Sequence, residues 1–378
     1  MNFRPLFLIL SFLIALCGCN APKAYVPETG RCVRPRMQTL ASEHRDGYEC
    51  RLVEFSVDDS YTDSFGRKVK SEERIKAYLL VPDAARAGKC PALVMLHDHG
   101  ARFDIGKEKL VRPLAAALPK GENDHIMKSS LQWVNKCFDG VYFADSLASA
   151  GYVVLVADAL YWGERSTEDA HLWSHMNYDD AYVFPDGASR KDAVRQQKNK
   201  VYEGQRQVYA DLASKGVIWA EKILRDDVAS VKLLSGLPYV DKDRIGAFGF
   251  SMGAHRCWLL AAFCKEVRGG VALSWMTSLN GYDGNNASDL SMRIQPMRDY
   301  MDFGDIGMYL APKPMLFLNG ETDHLFPKEL VETAFDKLHS HYQAAGIPDA
   351  VMTEFFDGGH YCGKREQART AEFFMQIL

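Results

Sequence analysis

The chain has 378 residues, 47% of them hydrophobic and 25% charged, with a formal net charge of −4. That composition excludes a disordered or fibrous chain and is enough to build a large core. The acidic balance, without any long basic run, gives no electrostatic footprint for nucleic acid.

The N-terminus, "MNFRPLFLILSFLIALCGCN", carries Arg4 and then an apolar stretch from Leu6 to Leu16. That stretch is too short for a membrane span and reads as the h-region of an export signal. It ends in Leu16-Cys17-Gly18-Cys19, which resembles a bacterial lipobox. The resemblance implies that Cys19 is lipidated, becomes the first mature residue and tethers an exported chain to a membrane, expected to be the outer membrane facing the periplasm. Residues 1–19 are then a signal peptide, 20–40 a tether and 41–378 the folded domain. Of nine cysteines, setting aside Cys17 and Cys19 leaves seven, an odd number that cannot all pair. Cys32 with Cys50 is the first disulfide to test in an exported chain. Cys257 and Cys264, seven apart on an apolar helical stretch, read as packed thiols.

Tyr48–Val57 and Arg74–Val81 alternate apolar and polar residues, as an antiparallel pair would. "PALVMLH" (Pro91–His97) is a continuous apolar run, which suits a strand buried on both faces. Residues 101–139 give few signals and read as an insertion. "GVYFADSLASAGYVVLVAD" predicts a helix, a glycine stop and a strand over Tyr152–Asp158. Residues 160–204 read as a loop or small lid. From Gly204 to Val240 the recurrence of Ile218, Ala220, Ile223, Leu224, Val228, Val231 and Leu234 predicts one long amphipathic helix. Strands follow at Ile245–Phe250, Gly269–Trp275, Met315–Gly320 and Met352–Phe356. Helices lie at Ala254–Phe263, near Lys328–Ala345 and from Lys364, and an insertion reaches about Lys313. Strands alternating with helices predict a mostly parallel central sheet with helices on both faces and lid-like insertions.

Strand Ile245–Phe250 runs into Gly249-Phe250-Ser251-Met252-Gly253 and then a helix. The bare G-x-S-x-G pattern arises by chance in roughly one chain in ten of this length. Its context carries the weight. A nucleophile elbow needs strand, sharp turn and helix, with small residues beside the serine, and Gly249, Gly253 and Ala254 supply them. On such a sheet an acid and then a base should follow the serine, each after a later strand. Asp323 follows Met315–Gly320 and His360 follows Met352–Phe356, in that order. Asp283, after strand Gly269–Trp275, is the rival acid. The Met252 N–H is one expected oxyanion donor. The other is the His99 N–H, after the strand ending at His97, with Gly100 and Ala101 as neighbours that could replace it.

These pieces together, "MLHDHGARFDIGK", "VADALYWGERS", "GFSMGAHRCWLLAA", "LNGETDHLFP" and "FFDGGHYC", resemble the α/β-hydrolases. Within them they are similar to dienelactone-hydrolase-like and acetyl-xylan-esterase-like bacterial lipoproteins, from about Arg45 onward. The chain departs from that pattern at Asp98, where the family more often has glycine. The resemblance implies a serine carboxylesterase acting on esterified carbohydrate, O-deacetylation first. A methylesterase on uronate methyl esters is the alternative, and a non-catalytic glycan-binding lipoprotein is the alternative from another class. Trp162 could stack on a sugar ring, Arg165 could pair with a carboxylate, and Trp275 could line the acyl pocket. His171 and His175, four apart, lack the glutamate of an H-E-x-x-H site, so neither metal nor cofactor is expected.

Overall fold

The continuous apolar runs become strands of a nine-stranded sheet. The computed structural model describes residues 25–29, 35–63, 65–184, 189–279 and 290–378. In chain order the strands are β1 (Met37–Arg45), β2 (Tyr48–Asp58), β3 (Glu72–Pro82), β4 (Cys90–Leu96) and β5 (Val153–Ala157). They continue with β6 (Val240–Phe250), β7 (Gly269–Leu273), β8 (Met315–Gly320) and β9 (Val351–Phe356). Across the sheet they run β1-β2-β3-β5-β4-β6-β7-β8-β9. The β1-β2-β3-β5 pairings are antiparallel, and every pairing from β5 to β9 is parallel. The helices longer than four residues are α1 (His125–Cys137), α2 (Phe143–Ser149), α3 (Glu168–Tyr178), α4 (Arg190–Ser214) and α5 (Trp219–Ser235). They continue with α6 (Met252–Phe263), α7 (Lys328–Ala344) and α8 (Lys364–Ile377).

Alternation along the strands divides the core into two layers. On β4, Ala92, Val94 and Leu96 enter one layer, and Leu93 and Met95 enter the other. Met315 and Phe317 of β8 join the first, Leu316 and Leu318 the second. Helices cover both faces, so these runs must be apolar throughout. Each of these Val, Leu, Met and Phe side chains contributes about 1.5–3 kcal/mol relative to exposure. Among them Arg256 of α6 and Asp227 of α5 form a buried bidentate pair, at 3.0 Å from Nε and 2.7 Å from Nη2. The pair ties the helix after β6 to its neighbour on the same face.

The parallel register is what assembles a site. Leu96 pairs with Gly249, Phe250 with Leu273, Leu273 with Leu318 and Gly320 with Phe356. The carboxyl ends of β4, β6, β7, β8 and β9 therefore finish along one edge. The loops leaving them gather there, where open α/β sheets bind ligands.

The fold class is as the sequence predicts, with local corrections. The sequence reading extends the tether to residue 40, but β1 begins at Met37 and pairs with β2. Tyr25 already hydrogen-bonds Glu221 of α5 through its hydroxyl. The single helix expected over 204–240 is two, because Gly216, at φ +73°, breaks the chain between α4 and α5. The insertion over 101–139 contains α1, and the region 160–204 contains α3 and the first half of α4. Cys50, Cys257 and Cys264 are buried free thiols. Cys32, the signal segment with Cys19, and Asp283 lie outside the described residues. Among the described residues no helix is long and apolar enough to cross a membrane.

Candidate active site

Ser251 occupies the turn between β6 and α6 with φ +55° and ψ −125°. A non-glycine residue rarely holds that conformation, which costs of order 1–3 kcal/mol unless its surroundings enforce it. Here they do. A Cβ on Gly249 would lie 1.8 Å from the Gly253 carbonyl oxygen, and one on Gly253 would lie 1.9 Å from that of Leu96. Only glycine lets strand, turn and helix approach so closely. The Ser251 N–H donates to the Leu273 carbonyl at 2.8 Å, and its own carbonyl accepts from Ala254 N–H at 2.7 Å. Met252 opens α6, so its N–H is among the helix-terminal donors without an intrahelical partner.

His360, in the loop after β9, sets its Nε2 2.8 Å from Ser251 Oγ. Its Nδ1 lies 2.8 Å from Oδ2 of Asp323, in the loop after β8. A carboxylate oxygen accepts, so Nδ1 carries the ring proton and the lone pair on Nε2 faces the serine hydroxyl. The other Asp323 oxygen accepts from the N–H groups of Leu325 at 2.9 Å and Phe326 at 3.3 Å. The buried carboxylate is thus fixed before it orients the imidazole. Phe250 and Phe326 pack beside the His360 ring, with centroids 5.0 and 5.9 Å away. The structure therefore brings together all three residues chosen for the triad.

The loop after β4 forms the facing wall. His97 is wholly buried, its Nε2 accepting from Ala159 N–H and its Nδ1 donating to the Asp98 carbonyl, both at 3.0 Å. Desolvation, reinforced by Arg256, pushes its pKa well down and keeps the ring neutral. Lys109, also buried, donates to the carbonyls of Asp98 at 2.6 Å and His99 at 2.9 Å. A peptide's N–H points opposite to its C=O. Anchoring the Asp98 carbonyl on Lys109 therefore turns the His99 N–H the other way. Asp98, the departure from the family pattern, accepts from Trp133 Nε1 at 3.0 Å.

Asp98, His99, Gly100 and Ala101 line a cavity of about 460 Å³ together with Ser251, Met252 and His360. Aromatic faces from Trp133, Tyr202, Trp275 and Phe326 complete much of its wall. Trp275 is therefore where the sequence reading expects it. Trp162 and Arg165 are not. Trp162 is fully buried beneath the loop and donates from Nε1 to the His99 carbonyl at 3.1 Å, so no sugar can stack on it. Arg165 is buried too, with Nη2 2.8 Å from Asp226 and 2.9 Å from Glu73, and Nη1 donating to the Asp158 carbonyl. It pins the loop after β5 to α5 and β3. Arg165→Met should leave KM unchanged but lower unfolding free energy by about 3 kcal/mol, since it takes the cation from buried Asp226, whereas Glu73 keeps Lys222 at 2.7 Å. Chemical denaturation with parallel ester kinetics checks this. Residues that sequence reasoning misses include Trp133, Lys136 and Cys137 of α1, Tyr202 of α4, and Met292 and Phe326, all on the cavity wall. Apolar spacing over Ile126, Trp133, Val134 and Cys137, behind the Asp124 cap, is the signal for α1.

Strand order, the strained turn at Ser251 and the loops carrying Asp323 and His360 together define the α/β-hydrolase fold. Residues 135–274 match the model of the dienelactone hydrolase family, a span that holds Ser251 and ends before Asp323 and His360. A Bacillus subtilis (strain 168) protein described as a candidate hydrolase, YtaP, is 22% identical over 298 residues, which is 78% of this chain and 80% of YtaP. A Bacteroides fragilis NCTC 9343 protein described as a candidate acetyl xylan esterase superposes with a TM-score of 0.56 at 19% identity. The match covers 86% of this chain and 71% of that one. A glucuronoyl esterase from Solibacter usitatus superposes with a TM-score of 0.55 at 12% identity, covering 93% of this chain and 88% of its own.

Proposed function

We propose that the protein is a serine esterase that removes acyl groups, acetyl first, from carbohydrate. The observation that carries this reading is the Asp323–His360–Ser251 relay, with both contacts at 2.8 Å, opening into an aromatic-walled cavity. Ser251 Oγ attacks the ester carbonyl while His360 Nε2 accepts its proton, and Asp323 steadies the imidazolium that results. The oxyanion forms against the Met252 and His99 N–H groups, at the positive end of α6. Collapse returns the proton to the departing sugar hydroxyl. Water, activated by the same histidine, then releases the acid from the acyl-enzyme. Structural similarity to carbohydrate esterases and aromatic faces suited to a sugar ring support the substrate class.

One observation favours the methylesterase reading as well. The exposed Lys136 side chain lies on the cavity wall, and its cation suits a free uronate beside a methyl ester. On this reading Lys136, and not Arg165, pairs with the carboxylate. Incubation with acetylated xylan and with methylated pectin separates the two. Acetate release from xylan is expected; methanol release from pectin alone would assign the second reading. A relay intact in all three members argues against a non-catalytic glycan-binding role. The exported, Cys19-anchored location rests on the N-terminal sequence, Leu6–Leu16 followed by Cys19.

A further inference from the structure

The wall opposite Ser251 contains a turn that its own residues do not favour. Gly100 and Ala101 are both left-handed, at φ +58° and +53°. Alanine in that region is strained, so something outside the turn must hold it. Part of the restraint is internal. Ala101 N–H donates to His99 Nδ1 at 2.9 Å, and Arg102 N–H donates to the His99 carbonyl at 3.3 Å. Lys109 and Trp162 hold the carbonyls of Asp98 and His99. The carbonyl of Ala101 accepts from Lys198 Nζ, which reaches across from α4.

Lys198 has no carboxylate in contact among the described residues. Its ammonium sits 4.0 Å from the Trp173 ring centroid, 5.1 Å from that of Phe103 and 5.9 Å from that of Tyr202. Desolvation pushes its pKa down to about 8, with Asp104 pulling the other way. Partly burying a cation whose hydrogen-bond partner is a single carbonyl is costly, and an aromatic box offsets only part of that cost. Nothing in the catalytic steps uses this residue.

We propose that Lys198 is a positioning residue for the oxyanion hole: by holding the Ala101 carbonyl it locks the Gly100–Ala101 turn and so fixes the direction of the His99 N–H. The proposal rests on the serine-esterase reading, in which that N–H receives the oxyanion. It gives α4 a part in turnover. The same helix contributes Tyr202 to the cavity wall, so one element touches both the pocket wall and the oxyanion loop.

Lys198→Met, Lys198→Arg and Ser251→Ala, assayed with p-nitrophenyl acetate, test this. In Lys198→Met, kcat should fall about 10-fold or more with KM nearly constant, because only a transition-state contact is loosened. Inhibition by phenylboronic acid, whose tetrahedral adduct occupies the oxyanion site, should weaken in parallel. Lys198→Arg, which still donates to the carbonyl, should restore most of the turnover. Wild-type kcat and boronate affinity in Lys198→Met would overturn the proposal. So would a loss of kcat that Lys198→Arg does not restore, or a lowered melting temperature with kcat per folded molecule intact. Full activity in Ser251→Ala would instead sink the esterase reading itself.

Discussion

Ser251→Ala is expected to lower kcat for p-nitrophenyl acetate by about a millionfold, to the level left by binding and the oxyanion donors alone. The effect is large because, among the described residues, Ser251 supplies the hydroxyl bonded to His360 Nε2. Stability should change little. The Ser251 hydroxyl contacts His360 at the cavity surface, while the backbone bonds to Leu273 and Ala254 that hold the turn do not involve it. Steady-state kinetics beside thermal unfolding separates the two quantities. A variant that unfolds near the wild-type temperature and does not turn over is the expected outcome.

Asp323→Asn is expected to cost about 10⁴-fold in kcat with the protein still folded. The mechanism is tautomeric. Asparagine can still accept from Leu325 N–H through its carbonyl oxygen, and doing so turns its NH₂ toward His360 Nδ1. The imidazole would then carry its proton on Nε2 and present N–H, not a lone pair, to the serine. Asp323→Ala should lose a similar factor, through loss of orientation and of charge. If Asp323→Asn kept near-wild-type turnover, the acid would have to come from elsewhere, and Asp283→Asn would be the variant to measure next.

Much of this was legible because buried parallel strands leave a strong trace. β4, β5 and β8 are apolar on both faces, and the residues that matter come just after such runs. The order Ser251, Asp323, His360 then follows from topology. What escaped the sequence has a common cause, which is that burial is decided by distant partners. Arg165 looks like a surface cation until Glu73, 92 positions earlier, and Asp226 close around it. Trp162 is hidden because its indole N–H meets a carbonyl 63 positions away. β1 was missed because it is an edge strand, with much of Met37–Arg45 exposed and no apolar alternation to read. α4 was half missed for a similar reason. Its 25 residues bury only Gln197, Val201 and Gln205, too few to mark a stripe. Lys198 shows no local motif; its role exists only where α4 crosses the Gly100–Ala101 turn.

The central claim is that Ser251 is the covalent nucleophile. Treating the protein with diisopropyl fluorophosphate and mapping the adduct by tryptic mass spectrometry tests it most directly. The peptide Ile245–Arg256 contains Ser251 as its one serine, with no threonine or tyrosine, so the site of modification is unambiguous. Stoichiometric phosphorylation of that peptide, with loss of activity in step and no adduct in Ser251→Ala, is the predicted result. Full inactivation with the peptide unmodified, or modification elsewhere that persists in Ser251→Ala, would contradict it.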